Sequence, residues 1–125
     1  MFIKSEGDRI IRGGAYIELQ FCHLEKGTPI EQIVAVDSIS HWKSDSLYLS
    51  DENEFCLEYG NIFDCGVYNN LQTGTVDPYG INYYSPEATA CILQRVIDKK
   101  PTAWETLSEW LESAKEYNGF YILGI

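Results

Sequence analysis

The sequence predicts an α+β fold: a mainly antiparallel sheet of about five or six strands, two C-terminal helices packed on one face, and a final C-terminal strand. Three observations predict it. Short runs rich in β-branched and aromatic residues, bounded by Gly, Pro, Asn and Asp, fill the first two thirds. Two amphipathic stretches with N-terminal capping signals follow between residues 85 and 117. The closing stretch, 120–125, is continuously apolar. At 125 residues, with 45% apolar and 14% aromatic residues, the chain suits a single domain, 1–125, around one core.

Gly13-Gly14 is a turn signal, with Arg9 to Arg12 as the strand before it and Ala15 to Cys22, which alternates in part from Tyr16 to Phe21, as the strand after it. After Gly27-Thr28-Pro29, the β-branched run from Gln32 to Ser40 predicts another strand. Leu47-Tyr48-Leu49 and Phe55 to Tyr59 flank Ser50-Asp51-Glu52-Asn53-Glu54, which reads as a hairpin with an acidic tip. From Gly60 to Tyr84 the periodicity fails and turn residues accumulate, so an irregular loop is expected, with one short strand near Ile62-Phe63 or Val67-Tyr68. A long loop in so small a domain is more often functional than idle.

Ser85-Pro86 supplies an N-cap and a first-turn proline for a helix running to about Lys99, with Ala88, Cys91, Ile92 and Val96 on its apolar face. A second helix is expected from Thr102, where Thr102-Ala103-Trp104-Glu105 matches a capping box. Trp104, Leu107, Leu111 and Ala114 form its apolar stripe, Trp110 falls on a flank, and Asn118-Gly119 ends it. The apolar end of the chain then predicts a strand inserted within the sheet and covered on both faces.

Nineteen acidic residues against nine basic ones give a net charge of −10. Such a field repels nucleic acid and anionic membranes and attracts basic partners. The distribution is uneven, because residues 44–94 carry eight acids and no Lys or Arg. Six of the nine tyrosines, Tyr48, Tyr59, Tyr68, Tyr79, Tyr83 and Tyr84, share that segment. The N-terminus lacks the pattern of a secretory signal and no apolar run reaches membrane-spanning length, so a cytoplasmic protein is expected. Cys22, Cys56, Cys65 and Cys91 contain no C-x-x-C pair, and four reduced, mostly buried thiols are expected.

No catalytic, metal or cofactor motif stands out, and no cofactor is expected. Cys22-His23 could pair a nucleophile with a base, but neighbours in a strand point to opposite faces. Asp51-Glu52-Asn53-Glu54 lacks the spacing and distal Glu of a calcium loop and reads as a solvated turn. Carboxylate pairs such as Glu54 with Glu58, or Asp64 with Asp77, would serve acid–base catalysis if a cleft brought them together. There is no Walker A or G-x-G-x-x-G pattern. What remains is surface recognition, in which carboxylates steer a basic partner and tyrosines supply contact area at low entropic cost.

The sequence Tyr83-Tyr84-Ser85-Pro86-Glu87, the two C-terminal helices and the ending from Glu116 to Ile125 resemble bacterial immunity proteins of polymorphic toxin and contact-dependent growth inhibition systems. The resemblance covers about the last 45 residues. It implies a non-enzymatic cytoplasmic protein that binds and neutralises one cognate toxin domain, often a basic nuclease. On that expectation Asp51, Glu52, Glu54, Glu58, Asp64 and Asp77 supply charge, and Tyr59, Tyr68 and Tyr79 are anchors. The rivals are a small carboxylate-dependent enzyme with its site in the 60–84 region, or an adaptor or regulatory subunit for another basic partner.

Overall fold

The structure, a computed structural model, describes residues 1–4 and 17–124, so the expected Arg9–Arg12 strand and the Gly13-Gly14 turn lie outside the described residues. Along the chain come β1 (Phe2–Ile3), β2 (Ile17–Phe21), the one-turn helix α1 (Ile30–Ile33), a 3-10 turn (Val36–Ser38), β3 (Leu47–Leu49) and α2 (Glu52–Tyr59). Then follow β4 (Gly66–Tyr68), β5 (Thr73–Gly74), β6 (Ile81–Tyr84), α3 (Pro86–Lys99), α4 (Trp104–Ala114) and β7 (Phe120–Leu123). The strands form one antiparallel sheet in the order β1-β3-β2-β7-β6-β4-β5. The α+β class holds, with seven strands among the described residues once the two-residue strands β1 and β5 at the edges are counted.

The apolar C-terminal end explains the centre of the sheet. β7 pairs with β2 through Leu19↔Ile122 and with β6 through Tyr83↔Tyr121, and all four of its residues are buried. A strand covered on both faces has no solvent side to mark with polar residues, which is why the run is continuously apolar. Gly119, at φ +77°, makes the turn into it, and a Cβ there would run into the Tyr84 carbonyl oxygen.

Strand alternation sorts the core into two layers. Ile17, Leu19 and Phe21 of β2, Leu47 and Leu49 of β3, and Phe120 and Ile122 of β7 face the helices. There they meet Phe55 and Tyr59 of α2, Ile92 and Val96 of α3, and Leu107, Leu111 and Ala114 of α4. α3 starts as its sequence predicts, with the Ser85 hydroxyl accepting from the Ala88 N–H at 3.1 Å and Pro86 in the first turn. The opposite face carries Cys22, Tyr83, Tyr121 and Leu123 and is closed by residues 22–46, a strap that brings Ile33 and Val34 down onto them.

Five expectations are corrected. The run 32–40 is not a strand: both neighbours of β2 are taken, by β3 and β7, so the strap bonds locally instead, as in Val34 N–H to the Ile30 carbonyl and Ser38 N–H to that of Ala35. The acidic hairpin is a helix. Asp51 caps α2 by accepting from the Glu54 N–H at 2.9 Å, and Phe55 and Tyr59 bury one turn apart while Leu57 stands 88% exposed. The 60–84 region is less irregular than its sequence, since it contains β4, β5 and β6.

Finally, α4 begins at Trp104 without the Thr102 cap. Ala103 sits at its N-cap with φ 61°, and the Thr102 hydroxyl donates to Glu58 Oε1 at 3.1 Å. The two tryptophans also exchange roles. Trp110 is buried, stacked on Phe21 at 4.2 Å, and donates its indole N–H to the Asp45 carbonyl at 3.0 Å, whereas Trp104 is only partly buried.

Candidate acidic interface

The nine expected contact residues do not share one face. Asp51, Glu54 and Glu58 lie on α2, which belongs to the helix layer. Asp51 and Glu58 are exposed and Glu54 partly so. Glu52 is half-buried, and its Oε2 meets no hydrogen-bond partner among the described residues. Tyr59 is fully buried, donating its hydroxyl to the Thr102 carbonyl at 2.6 Å, which removes it as an anchor. Burial, with Glu58 and Glu105 nearby, pushes its phenol well above the usual tyrosine range.

Asp64 is bound by the Arg95 guanidinium at 2.9 Å, so its charge is largely compensated by a neighbour in the same chain. Tyr68 is half-buried and donates its hydroxyl to the Thr75 carbonyl. Asp77 closes a tight turn by accepting from the Tyr79 N–H at 2.9 Å. Tyr79 is 75% exposed, beside Val36, Ile39 and His41 of the strap, so it belongs to the opposite side of the sheet from α2.

α4 carries acids that the base-free stretch does not include. Glu105, Glu109 and Glu112 on α4, and Glu116 in the turn just after it, are all exposed and recur at intervals of four, three and four residues, the spacing of one helical stripe. Lys4 approaches Glu109 at 3.9 Å and Lys115 approaches Glu112 at 3.2 Å, both at the surface, where such pairs contribute little. α2 and α4 are tied together by Glu58 and Tyr59, which both bond to Thr102 just before α4. Glu58 of α2 and Glu105 of α4 both lie close to the Tyr59 phenol, so the acids of the two helices meet at this point. The helical spacing of those glutamates was legible in the sequence, but the nearby Lys99, Lys100 and Lys115 hide it from a count of charges.

Cys22 is fully buried on the strap side, 3.6 Å from the Tyr121 hydroxyl, while His23 lies 3.3 Å from Asp45 and packs edge-on against Tyr117. All four thiols are free, but Cys56 and Cys91 are exposed and Cys65 only half-buried, contrary to the expectation of mostly buried cysteines. A cavity of about 270 Å³ opens beside the 60–84 region, walled by Phe55, Cys56, Gly60, Asn61, Thr75 and Val76, with no carboxylate among them. Burial and then Glu52 push the Cys56 thiol up, away from the thiolate that a nucleophile needs. Among the described residues no three His, Cys, Asp or Glu side chains gather to hold a metal ion, and no helix is long and apolar enough to cross a membrane.

One buried acid escaped the sequence reading. Glu18 of β2 is fully buried on the strap side. It accepts from the N–H groups of Trp42 (2.8 Å) and Lys43 (2.9 Å), the Ser46 hydroxyl (2.5 Å) and the Gln20 amide (3.2 Å), with His41 Nδ1 at 3.6 Å. Compared with protein-family profiles, curated proteins and solved structures, the chain matches none.

Proposed function

We propose that this chain is a non-enzymatic acidic binding module that neutralises a basic toxin domain of the nuclease kind in the cytoplasm, as an immunity protein does. The observation that carries the reading is that the acids of α2 and α4 meet where Glu58 and Glu105 flank Tyr59, with Asp51, Glu54, Glu58, Glu105, Glu109 and Glu112 at these two helices and Glu116 in the turn just after α4. A nuclease presents cations to phosphate, and a rigid array of carboxylates competes for them. Because α2 and α4 are anchored in the core by Phe55, Tyr59, Leu107 and Leu111, the array is held without ordering a loop on binding. The interface is thus moved from the hairpin tip and the 60–84 loop to the outer faces of two helices.

The test is co-expression with the basic domain encoded beside this chain's gene. That domain alone should arrest growth, and the chain should restore it. The triple variant Glu54→Lys, Glu105→Lys, Glu112→Lys changes exposed or half-exposed positions only and should slow association at least tenfold at low salt, with the difference shrinking as salt rises. Unchanged association kinetics would remove this surface as the interface, and failure of the wild-type chain to restore growth would remove the immunity reading.

A further inference from the structure

At the C-terminal end of the acidic stripe, a cleft of about 390 Å³ is lined by residues of α4, β2 and β3. Its wall is aromatic: Phe21 is stacked between Trp110 (4.2 Å, 10°) and Tyr117 (4.5 Å, 14°), so three rings run in one pile. Its other lining is acidic, from Asp45, Glu109 and Glu116, with the small Ser113 between them on α4. Lys4 already stands at the rim, its ammonium 3.9 Å from Glu109, with both side chains well exposed. The chain itself thus brings a cation to this cleft, and holds it loosely enough to be displaced.

A planar, weakly hydrated cation on a long apolar stem suits such a cleft better than any other protein side chain. A guanidinium pairs with carboxylates through parallel N–H donors, and its apolar stem lies against ring edges at little desolvation cost. We infer that this cleft seats one arginine side chain of the basic partner, its apolar stem against the edges of the Phe21–Trp110–Tyr117 pile and its guanidinium toward Glu109 and Glu116, in the place now approached by Lys4. The inference rests on the reading of the acidic surface as the partner's docking face and adds its anchor.

The peptide Gly-Arg-Gly, with neutral Gly-citrulline-Gly and cationic Gly-Lys-Gly as references, tests the seat by NMR titration of the purified chain. The Trp110 indole N–H and the Tyr117 amide should shift and saturate at millimolar Gly-Arg-Gly, more weakly with Gly-Lys-Gly, and not with the citrulline peptide. Lys4→Ala should tighten Gly-Arg-Gly at least threefold, whereas Lys99→Ala, with the same change in net charge near the far end of α4, should not. Ser113→Arg, at an exposed helix position, should fill the cleft from within and abolish the shifts while leaving the melting temperature unchanged. Equal shifts with the arginine and lysine peptides, or shifts spread over all acids and absent at Trp110, would overturn the seat. The docking face is judged separately, on the toxin domain. If the domain binds Ser113→Arg as it binds wild type yet fails on the triple variant of Glu54, Glu105 and Glu112, the face stands and the arginine seat is wrong. A tenfold or greater loss with Ser113→Arg supports the seat.

Discussion

On the helix side of the sheet, Leu19, Phe120 and Ile122 meet Leu107, Leu111 and Ile92, apolar against apolar, in a layer of three helices. On the strap side the same strands also present Glu18 and Gln20, and the segment above them is held by the apolar cluster around Ile33 and Val34 together with hydrogen bonds to one carboxylate. Both sides bury their strands equally, since all five residues of β2 are buried. The difference is one of kind. Apolar packing is non-directional and spreads over many contacts, whereas the Glu18 cluster concentrates the hold on a few directed bonds.

The largest expected effect comes from the helix side. Leu111→Ala empties part of a fully buried site and should cost about 3–4 kcal/mol, read as a lower urea midpoint at an unchanged slope. Because Leu111 lies under α4 beneath the acidic stripe, the loss should be global, with amides in β7 and α4 exchanging faster together.

Glu18→Ala should behave differently. It leaves the Trp42 and Lys43 N–H groups and the Ser46 hydroxyl without that acceptor, a penalty of about 2 kcal/mol after water reaches the half-buried strap. Hydrogen exchange should speed up first in residues 40–46 and leave α3 and α4 protected. Uniform acceleration across the sheet would mean that the strap side is not a separate unit.

The same contrast explains what could be read in the sequence. The helix side was legible: Ser85-Pro86 started α3, the Leu107–Leu111–Ala114 spacing marked the buried stripe of α4, and the apolar end placed β7. The strap was not, because β-branched residues in 32–40 express a preference that only an open sheet edge could satisfy, and none adjoined β2. α2 was misread for a related reason. Phe55, Leu57 and Tyr59 alternate like a strand, yet Asp51 with Glu54 three residues on is also a capping pattern, and the burial of Phe55 and Tyr59 one turn apart decided for the helix. The acidic surface was half legible. Charge counting found the acids of α2, but assembling them with those of α4 required the Glu58 and Tyr59 contacts to Thr102, which join residues more than forty positions apart.

A smaller test separates the two sides at nearly constant volume. Tyr121 faces the strap and donates its hydroxyl to the Ile33 carbonyl at 2.6 Å, so Tyr121→Phe strands that carbonyl and should cost about 1–2 kcal/mol.

The smallest expected effect is at Tyr84, in the apolar layer on the opposite side of β6. Its hydroxyl is buried and meets no hydrogen-bond partner among the described residues. Tyr84→Phe therefore removes a desolvated polar group without orphaning another, and should be neutral or stabilising by up to about 1 kcal/mol. Alkali adds a second reading of the same pair. Burial pushes both phenols above the ordinary value of 10, so the folded state keeps those protons while the unfolded chain loses them. That contribution is fully present below pH 10 and is lost as pH rises above it, so absorbance at 295 nm should show these tyrosines ionising only as the fold opens. Replacing either by Phe removes one such group and should flatten the alkaline decline in stability. A Tyr84→Phe variant that loses stability at neutral pH as Tyr121→Phe does would show that the buried hydroxyl is satisfied, and the proposed difference between the two sides of the sheet would fail at this position.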